Sequence, residues 1–502
     1  MVYEVFVRSF ADSDGDGNGD LAGLTAHLDD LNDGSGASTT SLGIDAIWLM
    51  PISPSPSYHG YDVTDYEGVN PGYGTLSGFD TFLAAAHARG IKVILDFVLN
   101  HSSSSHPWFQ DSSSSTGSAK RSWYLWSPTD LGWVAPWNNA SGWHYSGTTS
   151  QYFWGIFSSG MPDLNYGTSA VEAQIVASMK FWLARGVDGF RLDAVRYLVE
   201  DAATGNVQDT AATHALLQRI RSALQADYPD VVLVGEAWAP LETVATYWGG
   251  GHELPLAFSF DLASGILYSA LHGDAGAVLA VIGRTEAAYA NRFFEAPFLS
   301  NHDQVRTMRA LGGDAGAARV AAATLFAMPG TPFVYYGEEL GMQGGSNPDD
   351  RDKRTPMQWD GSAAWFGFAT TSATPWYWTT VPEAPGVDVA SERADPQSLW
   401  NLYRSLIAVR HARTGLRHGA AIRPAVTGGG PGVLALVRDA PSDRVLFVAN
   451  YATTTTGPFT VDVSNATTVW VSEGLSAPPS PSGGKTLVPG LAARGFLYVG
   501  LQ

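Results

Sequence analysis

An arginine and an aspartate lie two residues apart in the segment GFRLDAV, where an apolar run ends. Side chains at positions i and i+2 of an extended strand point to the same face, so Arg191 and Asp193 project together. A carboxylate beside a permanently charged guanidinium keeps its negative charge at neutral pH. Covalent catalysis by an aspartate requires such an ionised, positioned carboxylate. The segment therefore predicts a nucleophilic carboxylate at Asp193.

Further apolar runs, KVILDFVLNH, VVLVGEAW and FLSNHD, end in polar residues of the same kinds. These polar residues are Asp96, Asn100 and His101 in the first run, Glu236 in the second, and His302 and Asp303 in the third. The parallel strands of a (β/α)8 TIM barrel all present their C-terminal ends at one face, where such side chains form an active site. The pattern predicts an α/β protein built on that barrel.

The four segments, in this order and at these separations, resemble the signature regions of the α-amylase family of glycoside hydrolases (family 13). The resemblance runs from Tyr3 to Val409 and is closest to the group between neopullulanases and oligo-1,6-glucosidases. It implies net retention, with Asp193 as nucleophile, Glu236 as general acid/base and Asp303 as the third acid. The substrate-binding residues that it implies are Arg191, His101, His302, Tyr61, His59 and Asp62.

The residues around the two principal acids agree with these roles. Glu236 follows an apolar strand, and an apolar setting raises the pKa of a carboxyl group towards neutrality, as a general acid needs. A retaining glycosidase holds its two carboxyl groups about 5 to 5.5 Å apart. For a histidine or aspartate taken alone, a structural role is the more frequent one. The agreement of four motifs favours the catalytic reading here.

The resemblance divides the 502 residues into three domains. Residues 1–100 and 166–415 are assigned to the barrel, 101–165 to a domain inserted after the third strand, and 416–502 to a C-terminal antiparallel β-sandwich. The insertion is rich in serine and tryptophan and lacks the alternation of strands and helices. Its tryptophans are expected mostly in a small core, with sugar stacking as the alternative for some of them.

The loop DSDGDGNGD after the first strand alternates acidic residues with glycine, a pattern that can wrap oxygen ligands around a hard cation. It departs from an EF-hand, because Gly23 stands where a bidentate glutamate is required. It resembles the metal loop of oligo-1,6-glucosidase-like relatives, which implies a structural Ca²⁺, or Mg²⁺ as the alternative. The implied ligands are the side chains of Asp12, Asp14, Asp16 and Asp20 and the carbonyl of Asn18.

A second calcium site is also implied by the resemblance, between the barrel and the inserted domain. Its ligands would be Asn100, Asp163 and the carbonyl of Tyr197. Some relatives lack this ion and use the same residues in hydrogen bonds, so both readings stay open.

Composition limits the partners of the chain. Forty-eight acidic against twenty-nine basic residues give a net charge of −19, which disfavours binding to nucleic acid or anionic membranes. The chain has no cysteine, which excludes disulfides and thiolate metal sites. We expect a monomer whose partner is an α-glucan or maltooligosaccharide. The compartment stays open, with secretion or the periplasm favoured if an export signal preceded Met1.

Four features bear on the linkage that is cleaved and on the mode of cleavage. Ala194, directly after the nucleophile, and the segment MPDLN resemble enzymes that act on α-1,4 bonds. Many α-amylases have lysine-histidine where this chain has Arg196-Tyr197, and Asp62 resembles exo-acting glucosidases. We therefore expect an α-1,4-glucan hydrolase of α-amylase type that also transfers glucosyl units. The alternatives are an exo-acting α-glucosidase or a trehalose-forming isomerase. A non-catalytic relative is disfavoured, because all three acids are present.

Overall fold

The computed structural model describes residues 1–289, 291–369, 373–377, 383–464 and 466–501. In chain order its first strands are β1 (Val2–Val5), β2 (Ala46–Leu49), β3 (Lys92–Phe97), β4 (Trp126–Ser127), β5 (Trp143–Ser146), β6 (Gln151–Trp154), β7 (Gly189–Leu192), β8 (Val232–Gly235), β9 (Leu256–Phe258), β10 (Glu295–Ala296) and β11 (Phe333–Tyr335). Strands β1–β3 and β7–β11 form one parallel sheet of eight strands, in the order β10-β9-β8-β7-β3-β2-β1-β11. Most of their residues are buried, as expected for parallel strands covered on both faces.

Backbone hydrogen bonds join the two ends of this sheet and close it into a barrel. The Thr331 N–H donates to the Glu295 carbonyl at 3.0 Å, and the Phe333 N–H donates to the Pro297 carbonyl at 2.8 Å. The predicted (β/α)8 barrel is thereby confirmed. Its strands all point their C-terminal ends at the same face, which is where the predicted catalytic residues follow.

Helices alternate with the barrel strands and continue beyond them. The α-helices span Leu21–Ala26, Leu28–Leu31, Leu76–Ala88, Pro107–Ser114, Ser169–Arg185, Ala211–Gln225, Leu241–Thr246, Phe260–His272, Gly276–Ala288, Thr307–Ala310, Ala315–Ala327, Val389–Ala394, Leu399–Ala412 and Thr414–His418. The helix before β7 ends at Gly186, whose φ of 106° is a left-handed conformation that glycine adopts without strain. Within the described ranges, every helix is too short or too polar to cross a lipid bilayer.

The inserted segment forms its own small antiparallel sheet, in the order β4-β6-β5. Two of its tryptophans, Trp143 and Trp154, are buried with Ile156 in a small core of their own. Another, Trp137, is exposed, so the tryptophans of the insertion do not all serve the core.

The strands after the barrel are β12 (Ala420–Ile422), β13 (Val426–Thr427), β14 (Val433–Ala440), β15 (Asp443–Asn450), β16 (Phe459–Val461), β17 (Ala466–Leu475), β18 (Ser480–Ser482), β19 (Lys485–Val488) and β20 (Leu491–Leu501). They make two antiparallel sheets, of order β12-β14-β15-β20-β17 and β13-β16-β19-β18. Side chains from both sheets, such as Val437 and Val461, share one apolar cluster. The predicted C-terminal antiparallel β-structure is confirmed.

Candidate active site

Arg191 lies at the centre of a group of carboxylates at the C-terminal end of the barrel. It belongs to β7 and is 1% exposed. Its guanidinium donates to Asp96 Oδ1 at 2.9 Å and to Asp193 Oδ1 at 2.6 Å, and it pairs with Glu236 Oε2 at 3.0 Å. Because β3, β7 and β8 are neighbours in the sheet, their ends bring these side chains together. Asp96, Arg191, Asp193 and Glu236 are called the catalytic cluster below.

The turn after β7 ties the two proposed reacting carboxylates to one backbone segment. The Asp193 N–H donates to the Phe97 carbonyl at 3.1 Å, which fixes its Cα beside β3. The next N–H, that of Ala194, donates to Glu236 Oε2 at 3.0 Å. Ala194 has a φ of 50°, a left-handed conformation that is unfavourable for residues other than glycine. Such strain is found where a site requires an exact turn, and here it aims an N–H at Glu236.

Glu236 has the electrostatic character of a general acid. Burial raises the pKa of this carboxyl to about 7, although Arg191 acts in the opposite direction, and the negative charges of Asp193 and Asp303 add to the increase. A carboxyl group with a pKa raised in this way can act as a proton donor near neutral pH. Burial also raises the pKa of Asp96 to about 7, again against Arg191.

Asp303 is held by two cationic side chains. His302 Nε2 lies 3.0 Å from Asp303 Oδ2, and Arg354 donates to Asp303 Oδ1 at 2.9 Å. Burial opposes the charged form of Asp303, but His302 and Arg354 outweigh it and lower the pKa of the carboxyl. Burial likewise acts against protonation of His302, but Asp303 and Glu4 raise the pKa of its ring to about 9. Asp303 is therefore a carboxylate and His302 an imidazolium at neutral pH.

Tyr61 connects these groups. Its hydroxyl donates to Asp96 Oδ2 at 3.1 Å and lies 2.6 Å from His302 Nε2. Its ring stacks on the His302 ring, with centroids 5.6 Å apart and planes 14° apart. The tyrosine is thus fixed by its hydroxyl and by one face of its ring.

The remaining predicted substrate-binding residues surround this centre. His101 is 2% exposed, and its Nε2 has no hydrogen-bond partner among the described residues. Burial lowers the pKa of His101 to about 4, so the ring is neutral at pH 7. Asp62 Oδ1 accepts from Ser55 Oγ at 2.5 Å and from Ser57 Oγ, and it lies 4.0 Å from His59 Nδ1. The structure therefore places His59 and Asp62 together beside two serines.

Comparison with known proteins agrees with this geometry. Residues 4–419 match the family described as alpha amylase, catalytic domain. The chain belongs to the alpha-amylase family. Alpha-amylase 3 of Dictyoglomus thermophilum is 40% identical over 426 residues, which cover 84% of this chain and 78% of that protein. This confirms an enzyme of the α-amylase type of glycoside hydrolase.

Two further relatives show the breadth of the family. The trehalose synthase/amylase TreS of Mycobacterium tuberculosis is 34% identical over 491 residues, covering 88% of this chain and 79% of that one. The crystal structure of alpha-amylase from H. orenii superposes with a TM-score of 0.86 at 35% identity, over 100% of this chain and 99% of that one. Amylases and trehalose-forming enzymes of the family therefore both resemble this chain over most of its length.

The acidic loop after β1 brings three of its predicted ligands together. One ligand oxygen from each of Asp12, Asp14 and Asp20 lies within 4.8 Å of the other two. These three residues are called the loop cluster below. The side chain of Asp16 instead accepts from the backbone N–H of Asn18 at 2.7 Å, and the Asn18 side chain accepts from Arg8. The loop cluster offers carboxylate oxygens, the ligands that Ca²⁺ and Mg²⁺ prefer.

The predicted second metal site contains buried oxygens that lack partners. Asn100 Oδ1 and Asp163 Oδ2 are buried and have no hydrogen-bond partner among the described residues. Burial, followed by the charge of Glu200, raises the pKa of Asp163. Two unpaired buried oxygens beside a further carboxylate fit a cation. The third predicted ligand, Tyr197, lies in the single-turn helix Val195–Tyr197 that follows Asp193.

Sequence reasoning missed three charged residues of these sites. Glu4 accepts from His302 Nδ1 at 2.5 Å, Arg354 binds Asp303, and the charge of Glu200 raises the pKa of Asp163. One of them carried a visible signal: Glu4 is an acidic residue within the apolar run of β1, where a buried charge requires a partner. No local pattern marks the other two residues.

Proposed function

We propose that this protein hydrolyses α-1,4-glucosidic bonds of starch-like glucans and maltooligosaccharides with net retention, and that it also transfers glucosyl units. The observation that carries the proposal is the catalytic cluster. In it, Arg191 binds Asp193 and Glu236 together, while burial keeps the pKa of Glu236 near neutrality, at about 7. A nucleophilic carboxyl group beside a carboxyl group whose pKa is raised is the pairing that glycoside hydrolysis uses.

The reaction proceeds in two displacements. A carboxylate oxygen of Asp193 attacks the anomeric carbon, while Glu236 gives its proton to the leaving glycosidic oxygen as the bond to it breaks. Water then attacks the same carbon, Glu236 takes the water proton, and the bond to Asp193 breaks. When a sugar hydroxyl replaces the water, the product is a transferred glucosyl unit.

The surrounding residues hold the sugar that is attacked. His302 is an imidazolium fixed by Glu4 and Asp303, so it is oriented before substrate arrives. The unpaired Nε2 of neutral His101 can exchange a hydrogen bond with a sugar hydroxyl. Asp303 accepts from hydroxyls and favours ring distortion in the transition state, and the Tyr61 ring offers an apolar face to the sugar.

A trehalose-forming isomerase or an exo-acting α-glucosidase is the second candidate. The similarity to a trehalose synthase/amylase over 88% of the chain favours it. So does Asp62, which is held by Ser55 and Ser57 near the catalytic centre, as a residue that binds a chain end would be. An isomerase follows the same two displacements, except that the released glucose attacks the covalent intermediate through a different hydroxyl.

We further propose a structural Ca²⁺ at the loop cluster, with Mg²⁺ as the alternative ion, and a second Ca²⁺ at Asn100 and Asp163. In the first site the ligands would be carboxylates, and in the second an amide oxygen and a carboxylate. These ions would neutralise acidic groups and hold loops in place; neither one enters the reaction. The protein is proposed to act as a monomer on its glucan substrate.

A time-resolved product profile tests the function. The substrates are soluble starch, maltoheptaose, maltose and isomaltose, and the anomeric configuration of new reducing ends is read by NMR at early times. We expect α-configured mixed oligosaccharides from starch, with isomaltose untouched. Trehalose from maltose would establish the isomerase, glucose alone from short chains would establish the exo-glucosidase, and β-configured early products would contradict retention.

A further inference from the structure

Three aromatic rings of the inserted domain and of the turn after β7 form a continuous surface beside the catalytic centre. Trp137 stacks on Phe157, with centroids 5.2 Å apart and planes 21° apart. The edge of Tyr197 meets both rings, at 5.6 Å from Trp137 and 5.9 Å from Phe157. Trp137 remains 49% exposed and Phe157 37% exposed. These three residues are called the aromatic platform.

The aromatic platform borders His101 and the turn that contacts the backbone of Glu236. The Phe157 ring lies 5.2 Å from the ring of His101. Tyr197 lies in the turn that follows Asp193, and the Val195 N–H of that turn donates to the Glu236 carbonyl at 3.3 Å. Glu236 delivers its proton to the leaving oxygen, so the surface next to it receives the departing part of the substrate.

Each of the three guanidinium nitrogens of Arg196 already donates a hydrogen bond within the protein. Its Nε donates to Asp209 Oδ1 at 2.9 Å, its Nη2 to Asp209 Oδ2 at 2.5 Å, and its Nη1 to the Trp238 carbonyl at 2.8 Å. The Tyr247 hydroxyl also donates to Asp209, at 2.7 Å, which fixes the pair further. The cation next to the nucleophile turn therefore supports the backbone after Glu236, and the exposed surface nearby is aromatic.

We propose that Trp137 is the stacking surface for the glucosyl unit on the leaving-group side of the bond, with Phe157 and Tyr197 holding its indole in place. This inference rests on the proposed function. The apolar C–H face of a glucose ring packs against an indole without fixing which hydroxyl points inward. A sugar bound in this way can turn on the ring and attack the covalent intermediate through more than one hydroxyl, which suits an enzyme that transfers as well as hydrolyses.

The test compares two substrates that differ only on the leaving-group side. Maltotriose loses a sugar, whereas α-glucosyl fluoride loses a fluoride ion and places nothing on the aromatic platform. The ratio of their kcat/KM values therefore isolates contacts on that side. We expect Trp137→Ala to lower this ratio about tenfold, as the loss of one aromatic stacking surface would, and Trp137→Phe to restore most of it.

Tyr145→Ala is the matched control. Tyr145 is 60% exposed in the same inserted domain, and its ring contact is with Tyr152 in the neighbouring strand. We expect this variant to keep both kcat/KM values of the parent protein. An unchanged ratio in Trp137→Ala, or an equal loss on both substrates, would overturn the role of Trp137. Failure of the parent protein to hydrolyse either substrate would instead contradict the proposed function.

Discussion

The catalytic cluster and the loop cluster hold their carboxyl groups in different ways. In the catalytic cluster, the charges of Asp96, Asp193 and Glu236 converge on one buried guanidinium. In the loop cluster, Asp12 accepts from the backbone N–H groups of Gly15 and Gly17, at 2.7 and 2.9 Å. Asp20 likewise accepts from backbone groups, among them the Gly23 N–H at 2.8 Å. The carboxyl groups of the catalytic cluster contact the full positive charge of a guanidinium. Those of the loop cluster contact the partial positive charges of backbone N–H groups.

This difference accounts for the separate roles proposed for the two clusters. In the catalytic cluster, burial raises the pKa of Glu236 to about 7 although Arg191 opposes the increase, and a general acid needs such a pKa. Backbone amides orient carboxylates without cancelling their charge. The oxygens of the loop cluster therefore keep a negative potential that an external divalent cation can neutralise. Carboxyl groups are thus proposed to act in catalysis in the catalytic cluster and to bind a structural cation in the loop cluster.

Removal of the proposed nucleophile should have the largest effect. Asp193→Ala leaves no oxygen to form the covalent intermediate, so we expect kcat on maltotriose to fall by about a thousandfold or more. The folded state should persist, because the substitution removes an acid from a site that still contains Arg191, Asp96 and Glu236. Steady-state kinetics and a thermal melt measure the two quantities.

Asp230→Ala serves as the control for that prediction, because this aspartate is exposed and follows the helix before β8, at the opposite end of the barrel. It should retain the kcat of the parent protein. Residual turnover in Asp193→Ala above about a thousandth of the parent value would remove Asp193 from the role of nucleophile.

Removal of the central cation should destabilise the fold. Arg191→Met leaves Asp96 and its neighbours buried without their partner, and breaking a buried ion pair costs about 3 kcal/mol or more of unfolding free energy. Urea denaturation measures this loss. Arg185→Met is the surface counterpart, since Arg185 pairs with the half-exposed Asp80, and it should cost about 0.5 kcal/mol. Equal losses of unfolding free energy in the two variants would show that the buried ion pairs of Arg191 stabilise the fold no more than a surface ion pair does.

The barrel was predictable because buried parallel strands are apolar runs, which the sequence displays directly. The ends of the strands were less predictable. The apolar run FLS, residues 298–300, favours a strand there, but the pairing of β10 with β9 ends at Ala296, because Pro297 has no N–H to continue it. The apolar segment LAFSFDL, residues 256–262, favours one continuous strand, yet a helix begins at Phe260. Apolar runs do not by themselves distinguish a strand from a buried helix.

The contacts of the candidate site also include some that the sequence predicts and others that it does not. Arg191 and Asp193 could be paired from their spacing, because they are neighbours on one strand. The contact of Glu4 with His302 joins residues 298 positions apart, and that of Arg354 with Asp303 joins residues 51 apart. Such pairs form only when the barrel closes, so no local period reveals them. The side chains that set the charge of His302 and Asp303 therefore required the structure.

Chelation should lower the thermal stability of the protein if the loop cluster holds an ion. An ion bound only to the native state adds about 3 kcal/mol when it is present at a hundred times its dissociation constant. Exhaustive EDTA treatment should therefore lower Tm by several degrees, and added Ca²⁺ should restore it. An unchanged melting curve would count against both proposed ions.

Single substitutions assign the effect to a site. Asp14→Asn removes a member of the loop cluster, whereas Asp16→Asn alters an exposed carboxylate outside it. We expect the first variant to lose part of the response to EDTA and the second to keep it. A loss in Asp16→Asn instead would indicate the ligand set implied by the family resemblance. Asp163→Asn should remove the remaining response if the second ion is bound.

The smallest expected effect is the pH dependence of the first displacement. Glu236 must carry a proton to assist the leaving oxygen, and its pKa is raised to about 7. The kcat/KM for maltotriose should therefore fall about tenfold per pH unit above that pH. Fluoride leaves without a proton, so the same limb should be absent with α-glucosyl fluoride. A limb near pH 9 on both substrates would instead report the loss of the proton from His302, whose pKa is about 9. In that case His302, which lies outside the catalytic cluster, would set the alkaline limit of activity.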